Sequence, residues 1–139
     1  MIAQSESYDS AMLELTRGKK TGHWMWYIFP QIDGLGSTET TKLYSIKSIE
    51  EAQAYLDHPV LGKRLIESCE ILLTLKRVSI SEVMGFPDDL KLKSSMTLFE
   101  YVSKPNSIFR RVLNQYFEGN LDETSIEIIK TMSPNLETF

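Results

Sequence analysis

Apolar residues recur at helical spacing through most of the chain. Tyr8, Ala11, Met12 and Leu15 stand at i, i+3, i+4 and i+7 within residues 5–17, the pattern of an amphipathic helix, and Gly18 follows as its C′ residue. Ser48-Ile49-Glu50-Glu51 is a capping box that starts a helix running through Leu56, and Pro59 ends it. The strongest periodicity lies between Val60 and Leu75, where Leu61, Leu65, Ile66, Cys69, Leu72 and Leu73 share one broad face. This segment is expected to be the central packing helix, with Leu61, Leu65, Cys69 and Leu72 in the core. Ser79-Ile80-Ser81-Glu82 repeats the capping box and should open a one-turn helix ending at Gly85. Pro87 suits the first turn of a helix reaching Phe99, and Asp88 and Asp89 there complement the positive end of its dipole. Asn106 or Ser107 caps a helix whose core face is Ile108, Phe109, Val112, Leu113, Tyr116 and Phe117, closed by Gly119. Asp122 starts a last one carrying Ile126, Ile128 and Ile129, and residues 133–139 read as a frayed acidic end. No stretch alternates with β-branched enrichment, and Asp33-Gly34 lacks a following strand. The pattern predicts an all-α fold: residues 1–139 as a single compact multihelical domain of about six to eight short helices.

One stretch breaks the amphipathic rule. His23-Trp24-Met25-Trp26-Tyr27-Ile28-Phe29-Pro30-Gln31 holds both tryptophans and one of the two histidines. Each large ring carries roughly 150–250 Å² that water disfavours, so the run must be buried on most sides. At helical spacing His23, Trp26, Tyr27 and Pro30 share one face and Met25, Ile28 and Phe29 the other. The preferred reading is a short helix with Thr21 as N-cap, stopped by Pro30. Lys19 and Lys20 precede the run. Gln31, Asp33 and the Gly34-Leu35-Gly36 turn follow, and the hydroxyls of Ser37-Thr38-Glu39-Thr40-Thr41 come next, a weak signal for a phosphate cradle.

At 139 residues the chain can bury a core without disulfides or metal, and 42% hydrophobic with 24% charged residues does not indicate disorder. The single cysteine, Cys69, excludes an intramolecular disulfide and a thiolate zinc cluster, and on an apolar stripe it reads as a buried inert thiol. There is no targeting pattern and no apolar run long enough to span a membrane, so the chain reads as cytoplasmic, with no membrane partner. The net charge of −4 comes entirely from residues 118–139, which hold five acids and one base. A charge-balanced body argues against general nucleic-acid binding, leaving only a local basic patch at Arg17, Lys19 and Lys20.

Candidate chemistry gathers in two stretches, residues 23–37 and 87–99. In the second, Lys91, Ser95 and Leu98 fall on one helix face with Ser94 and Thr97 beside them. Mid-helix hydroxyls either bond back to the i−4 carbonyl or hold a ligand. His58, between Asp57 and Pro59, reads as a cap.

These stretches, together with Glu51-Ala52, Tyr55-Leu56 and His58-Pro59-Val60-Leu61-Gly62, resemble the bacterial family catalogued as domain of unknown function 1810 (DUF1810). The resemblance covers nearly the whole chain. Members are sometimes labelled calpastatin, but nothing here looks like a protease-inhibitor repeat. The resemblance implies an all-helical single domain with no established biochemical role. The family pattern usually begins with another helix before Ala3-Gln4, so this chain looks short at its N-terminus. It also usually has one more residue between Gly36 and a serine, which weakens any serine-specific role for Ser37.

Two function classes stay open. In one, residues 23–37 and 87–99 form a small-molecule site for a nucleotide or another phosphate-bearing ligand. Trp24 or Trp26 would stack on a ring, with His23, Lys91, Ser94 and Ser95 facing its polar part and Gln31 as a further ligand-binding residue. Were it an enzyme, His23 would be the general acid/base, histidine being the side chain that exchanges protons near neutrality, and Lys91 the charge stabiliser. In the other, the same residues form the structural core of a non-catalytic protein-interaction module. No metal-ligand spacing or cofactor motif is seen, so neither a metal nor a cofactor is implied, and the pattern is silent on oligomeric state.

Overall fold

The computed structural model describes residues 2–35 and 39–132. Nine α-helices occur among them: α1 (Ile2–Thr16), α2 (Met25–Ile28), α3 (Glu39–Tyr44), α4 (Ile49–Asp57), α5 (Leu61–Thr74), α6 (Ile80–Met84), α7 (Asp88–Tyr101), α8 (Ile108–Phe117) and α9 (Glu123–Met132). The count exceeds the periodicity estimate by α3, a six-residue helix too brief to register as a period, whereas α2 and α6 are the short helices read before Pro30 and before Gly85. No strand forms among the described residues, and an isolated parallel bridge joins Ile32 to Ile46. The turn read at Gly36, Ser37 and Thr38 and the end at 133–139 lie outside the described residues.

The helix starts follow the predicted chemistry closely. Ser48 Oγ accepts from Glu51 N at 3.0 Å, Ser79 Oγ from Glu82 N at 3.1 Å, and Ser107 Oγ from Arg110 N at 3.3 Å. The return bond of the first box falls one residue early, Glu51 Oε1 accepting from Lys47 N at 2.6 Å. His58 is a cap, as its position suggests: Nδ1 accepts from Val60 N and Leu61 N, both at 3.1 Å, which leaves the ring proton on Nε2. The corner it builds between α4 and α5 is so tight that a Cβ on Gly62 would lie 1.9 Å from the Leu56 carbonyl oxygen.

α5 packs on α1, α2, α4 and α8, burying Gly62, Leu65, Ser68, Cys69 and Leu72. Leu61, expected in the core, is only half-buried, because the wall it meets is a cleft. α5 also keeps an exposed face at Lys63, Ile66 and Glu70, so it is not the helix at the centre. That place belongs to α7, which packs against α4, α6, α8 and α9 and is buried at six consecutive residues, Ser94 to Phe99. A helix enclosed all round needs small side chains as well as apolar ones, and the hydroxyls that look like a polar face in sequence fill that role.

Candidate functional site

The aromatic run is held to α1 by one carboxylate. Glu14 Oε1 accepts from Thr21 N at 2.7 Å, Gly22 N at 2.9 Å and Trp24 Nε1 at 2.9 Å. Thr21 therefore caps nothing, contrary to its sequence reading. α2 starts at Trp24 with no side-chain cap, and the backbone donors before it, Thr21 N and Gly22 N, are taken by the half-exposed Glu14 carboxylate. Burial alone would raise the Glu14 carboxyl, but the N–H groups of Gly22, Thr21 and Trp24 outweigh it and bring the pKa from 4.5 down to about 2.

Behind this hinge the two tryptophans are tied to α7 through lysines. Lys20 Nζ lies 5.1 Å from the Trp24 ring centroid, 2.7 Å from Asp88 Oδ2 and 2.5 Å from the Gly22 carbonyl. Lys91 Nζ lies 5.1 Å from the Trp26 centroid and 3.4 Å from Asp88 Oδ1. Trp24, Lys20, Asp88, Lys91 and Trp26 thus form an alternating chain of ring, cation, anion, cation and ring. Lys20 is turned inward, which removes it from any basic surface patch with Arg17 and Lys19, and Asp88 serves as a bridge between helices rather than only as a helix-end charge. Asp89 does keep its local role, accepting from Leu90 N at 2.9 Å and from Ser81 Oγ at 3.0 Å.

Among the predicted site residues, folding thus joins Trp24, Trp26 and Lys91. Ser95 stands one turn after Lys91, fully buried, and its Oγ has no hydrogen-bond partner. Ser94 Oγ donates to the Leu90 carbonyl at 3.2 Å and Thr97 Oγ1 to that of Lys93 at 2.8 Å, so two of the three hydroxyls bond back along the helix. Gln31 is half-buried and its carbonyl accepts from Ile46 N at 2.8 Å. His23 is exposed and makes no hydrogen bond or ion pair with the described residues.

Trp26 also faces a second environment. Together with Gln4, Tyr27, Pro30, Tyr44, Tyr55 and Leu61 it lines a cleft of about 90 Å³. Tyr27 and Tyr44 meet edge to face, 4.8 Å between centroids at 81°, and Trp26 tilts 59° from Tyr27. Gln4 is the polar organiser of this cleft: Nε2 donates to the Tyr27 carbonyl and to Tyr55 Oη, both at 3.1 Å, and Oε1 accepts from Arg64 Nη1 at 3.1 Å. Burial pushes the Tyr55 phenol well above its ordinary value, so it remains a hydrogen-bond donor. Trp26 Nε1 is buried without a hydrogen-bond partner. Sequence reading missed Gln4, Tyr44 and Tyr55. The available signal was Gln4 itself, a polar residue one turn before Tyr8 on the apolar stripe of α1.

Among the described residues there is no cluster of three or more histidine, cysteine or acidic side chains fit to hold a metal ion, and no helix long and apolar enough to cross a membrane. The model of the family described as protein of unknown function (DUF1810) matches residues 1–129. The crystal structure of the conserved hypothetical protein Rv1873 from Mycobacterium tuberculosis has a similar fold, with a TM-score of 0.90 and 45% identity over 92% of this chain and 91% of that one. No curated protein matches the chain.

Proposed function

The chain belongs to the DUF1810 family, and from that premise we propose that it binds a small molecule at the aromatic cleft between α1, α2, α3, α4 and α5, with Trp26 linking the cleft to Lys91. The observation that carries this reading is Trp26. Its indole N–H is buried with no partner, while the same side chain lines a cleft walled by three tyrosines. Buried polar groups are nearly always paired, and an orphan beside a concave aromatic wall is a place where a ligand completes the bonding.

Size narrows the nucleotide idea. A cleft of about 90 Å³ has room for about three waters, so a whole nucleotide does not enter, and any phosphate would lie outside with Lys91. His23 and Lys91 remain the proposed acid/base and charge stabiliser for chemistry on such a ligand, but at the mouth of the cleft rather than in it, and Trp24, Gln31, Ser94 and Ser95 do not line it, so they are not proposed as contacts of a ligand held there. The test is a ligand-observed magnetic resonance screen of small acids, amides and amines on the full chain, repeated on Leu61→Phe, which fills the cleft. Hits that compete with one another and vanish in Leu61→Phe are the expected outcome. Hits indifferent to that substitution, or none at all, would sink the proposal.

A second reading, a protein-interaction module, draws on Phe86 and Leu90, which are 81% and 50% exposed and stand one turn apart where α7 begins. Phe86→Ser should then abolish capture of the partner without touching the ligand screen.

A further inference from the structure

We infer that the cleft takes a hydrogen-bond acceptor of negative charge, a small carboxylate head, rather than an ammonium group; this rests on the binding site proposed above. Four aromatic rings around a small space suggest a cage for a cation at first sight, since ring faces attract ammonium groups. The charges argue otherwise. No carboxylate lines the cleft. Its organiser Gln4 is bound by the guanidinium of Arg64, which also donates to Ser5 Oγ at 3.0 Å and pairs with no carboxylate among the described residues. Lys91 already occupies a place over the Trp26 ring, and Asp88, its partner, is shared with Lys20, so that trio carries a net positive charge. Arg64 Nη1 lies 3.1 Å from Gln4 Oε1 and Lys91 Nζ 5.1 Å from the Trp26 centroid, and both Gln4 and Trp26 line the cleft, so at such range their field is only partly screened.

Hydrogen-bond supply points the same way. Gln4 has used both amide hydrogens and its oxygen, and it fixes Tyr55 by donating to the phenol oxygen. The Tyr55 hydroxyl proton and the Trp26 N–H then have no acceptor among the described residues, and the Tyr27 and Tyr44 hydroxyls that line the cleft can donate as well. A carboxylate accepts from the tyrosine hydroxyl without a compensating acid, and from the solvent-closed Trp26 N–H once the indole shifts to meet it, whereas an ammonium would add a further positive charge beside Arg64 and Lys91.

Propionate, propionamide and tetramethylammonium match one another in size and differ in charge, so their saturation-transfer titrations against the full chain form the test. Propionate should bind about fivefold or more tightly than propionamide, the margin a cation several ångströms away supplies at an intermediate dielectric. Arg64→Gln, which keeps a donor for Gln4 but removes the charge, should erase most of that margin and leave propionamide within about twofold of its original affinity. Trp26→Phe, which keeps a ring but removes the N–H, should weaken both acceptors. Preference for tetramethylammonium would overturn the carboxylate assignment while leaving the cleft as a binding site. Absence of binding by all three, or binding that survives Leu61→Phe, would overturn the cleft itself.

Discussion

Lys91 and Lys20 stand in the same relation to Asp88, one at each carboxylate oxygen, 3.4 Å and 2.7 Å away, and each covers a tryptophan ring at 5.1 Å. The Lys20 side chain is only 7% exposed and Asp88 20%, so removing the anion leaves a nearly buried cation without its counter-charge. Asp88→Asn should cost about 1–3 kcal/mol in urea unfolding, while Lys91→Met, at the more exposed end, should cost about 0.5–1 kcal/mol. Because the pair is shielded from solvent, the Asp88→Asn loss should persist at high salt. A loss that disappears in molar salt would show the cluster to be an ordinary surface pair.

Glu14 predicts an acid-sensitive hinge. Its folded pKa is depressed from 4.5 to about 2 by the N–H groups that overcome its burial, so the stabilisation is complete above the unfolded value and is lost as pH falls toward the folded one. Glu14→Gln should remove on the order of 1–2 kcal/mol at neutral pH, after allowance for solvent screening, and flatten the stability curve between pH 4.5 and 2. Urea titrations across that range check it. An unchanged acid limb would mean other carboxylates govern it.

Gly62 allows no side chain, since a Cβ would sit 1.9 Å from a backbone oxygen that cannot swing away. Gly62→Ala should therefore force α4 and α5 apart and cost more than about 2 kcal/mol, read from thermal melts by circular dichroism. A variant as stable as the parent would mean the corner opens freely.

Two leucines on α5 separate core from cleft. Leu65, fully buried, should cost ~2–5 kcal/mol when cut to alanine, as a cavity mutation. Leu61, half-buried at the cleft wall, should cost about 1 kcal/mol or less. Equal losses in denaturant unfolding would contradict the different surroundings given to the two.

Capping and apolar spacing made most helices readable from the chain, because Ser48, Ser79 and Ser107 act within three residues of themselves. What spacing could not convey is which polar residues are buried. Ser94, Ser95 and Thr97 look like a hydrophilic face, yet they are the small side chains that let α7 run through the middle. Gln4 and Asp88 look like surface residues, yet one organises the cleft and the other bridges two lysines, since apart from Lys91, three residues from Asp88, their partners lie about twenty to seventy residues away along the chain. The pairing of Trp26 with Lys91 was anticipated because both sat in chemically unusual stretches. The exposure of His23 was not, since a histidine beside two tryptophans offers no local clue to which way it turns.

Cys69 lies on the seam between α5 and α7, wholly buried, its Sγ 3.6 Å from Met96 Sδ, and burial pushes the thiol far above its ordinary range. A maleimide or disulfide reagent therefore meets neither an accessible sulfur nor a thiolate while those helices stay together. As the chain has one cysteine, the labelling rate of the unaltered protein is a stopwatch for the parting of α5 from the central α7. Comparing that rate with and without a cleft ligand would tell whether occupancy at the aromatic wall reaches the middle of the molecule, without a single engineered probe.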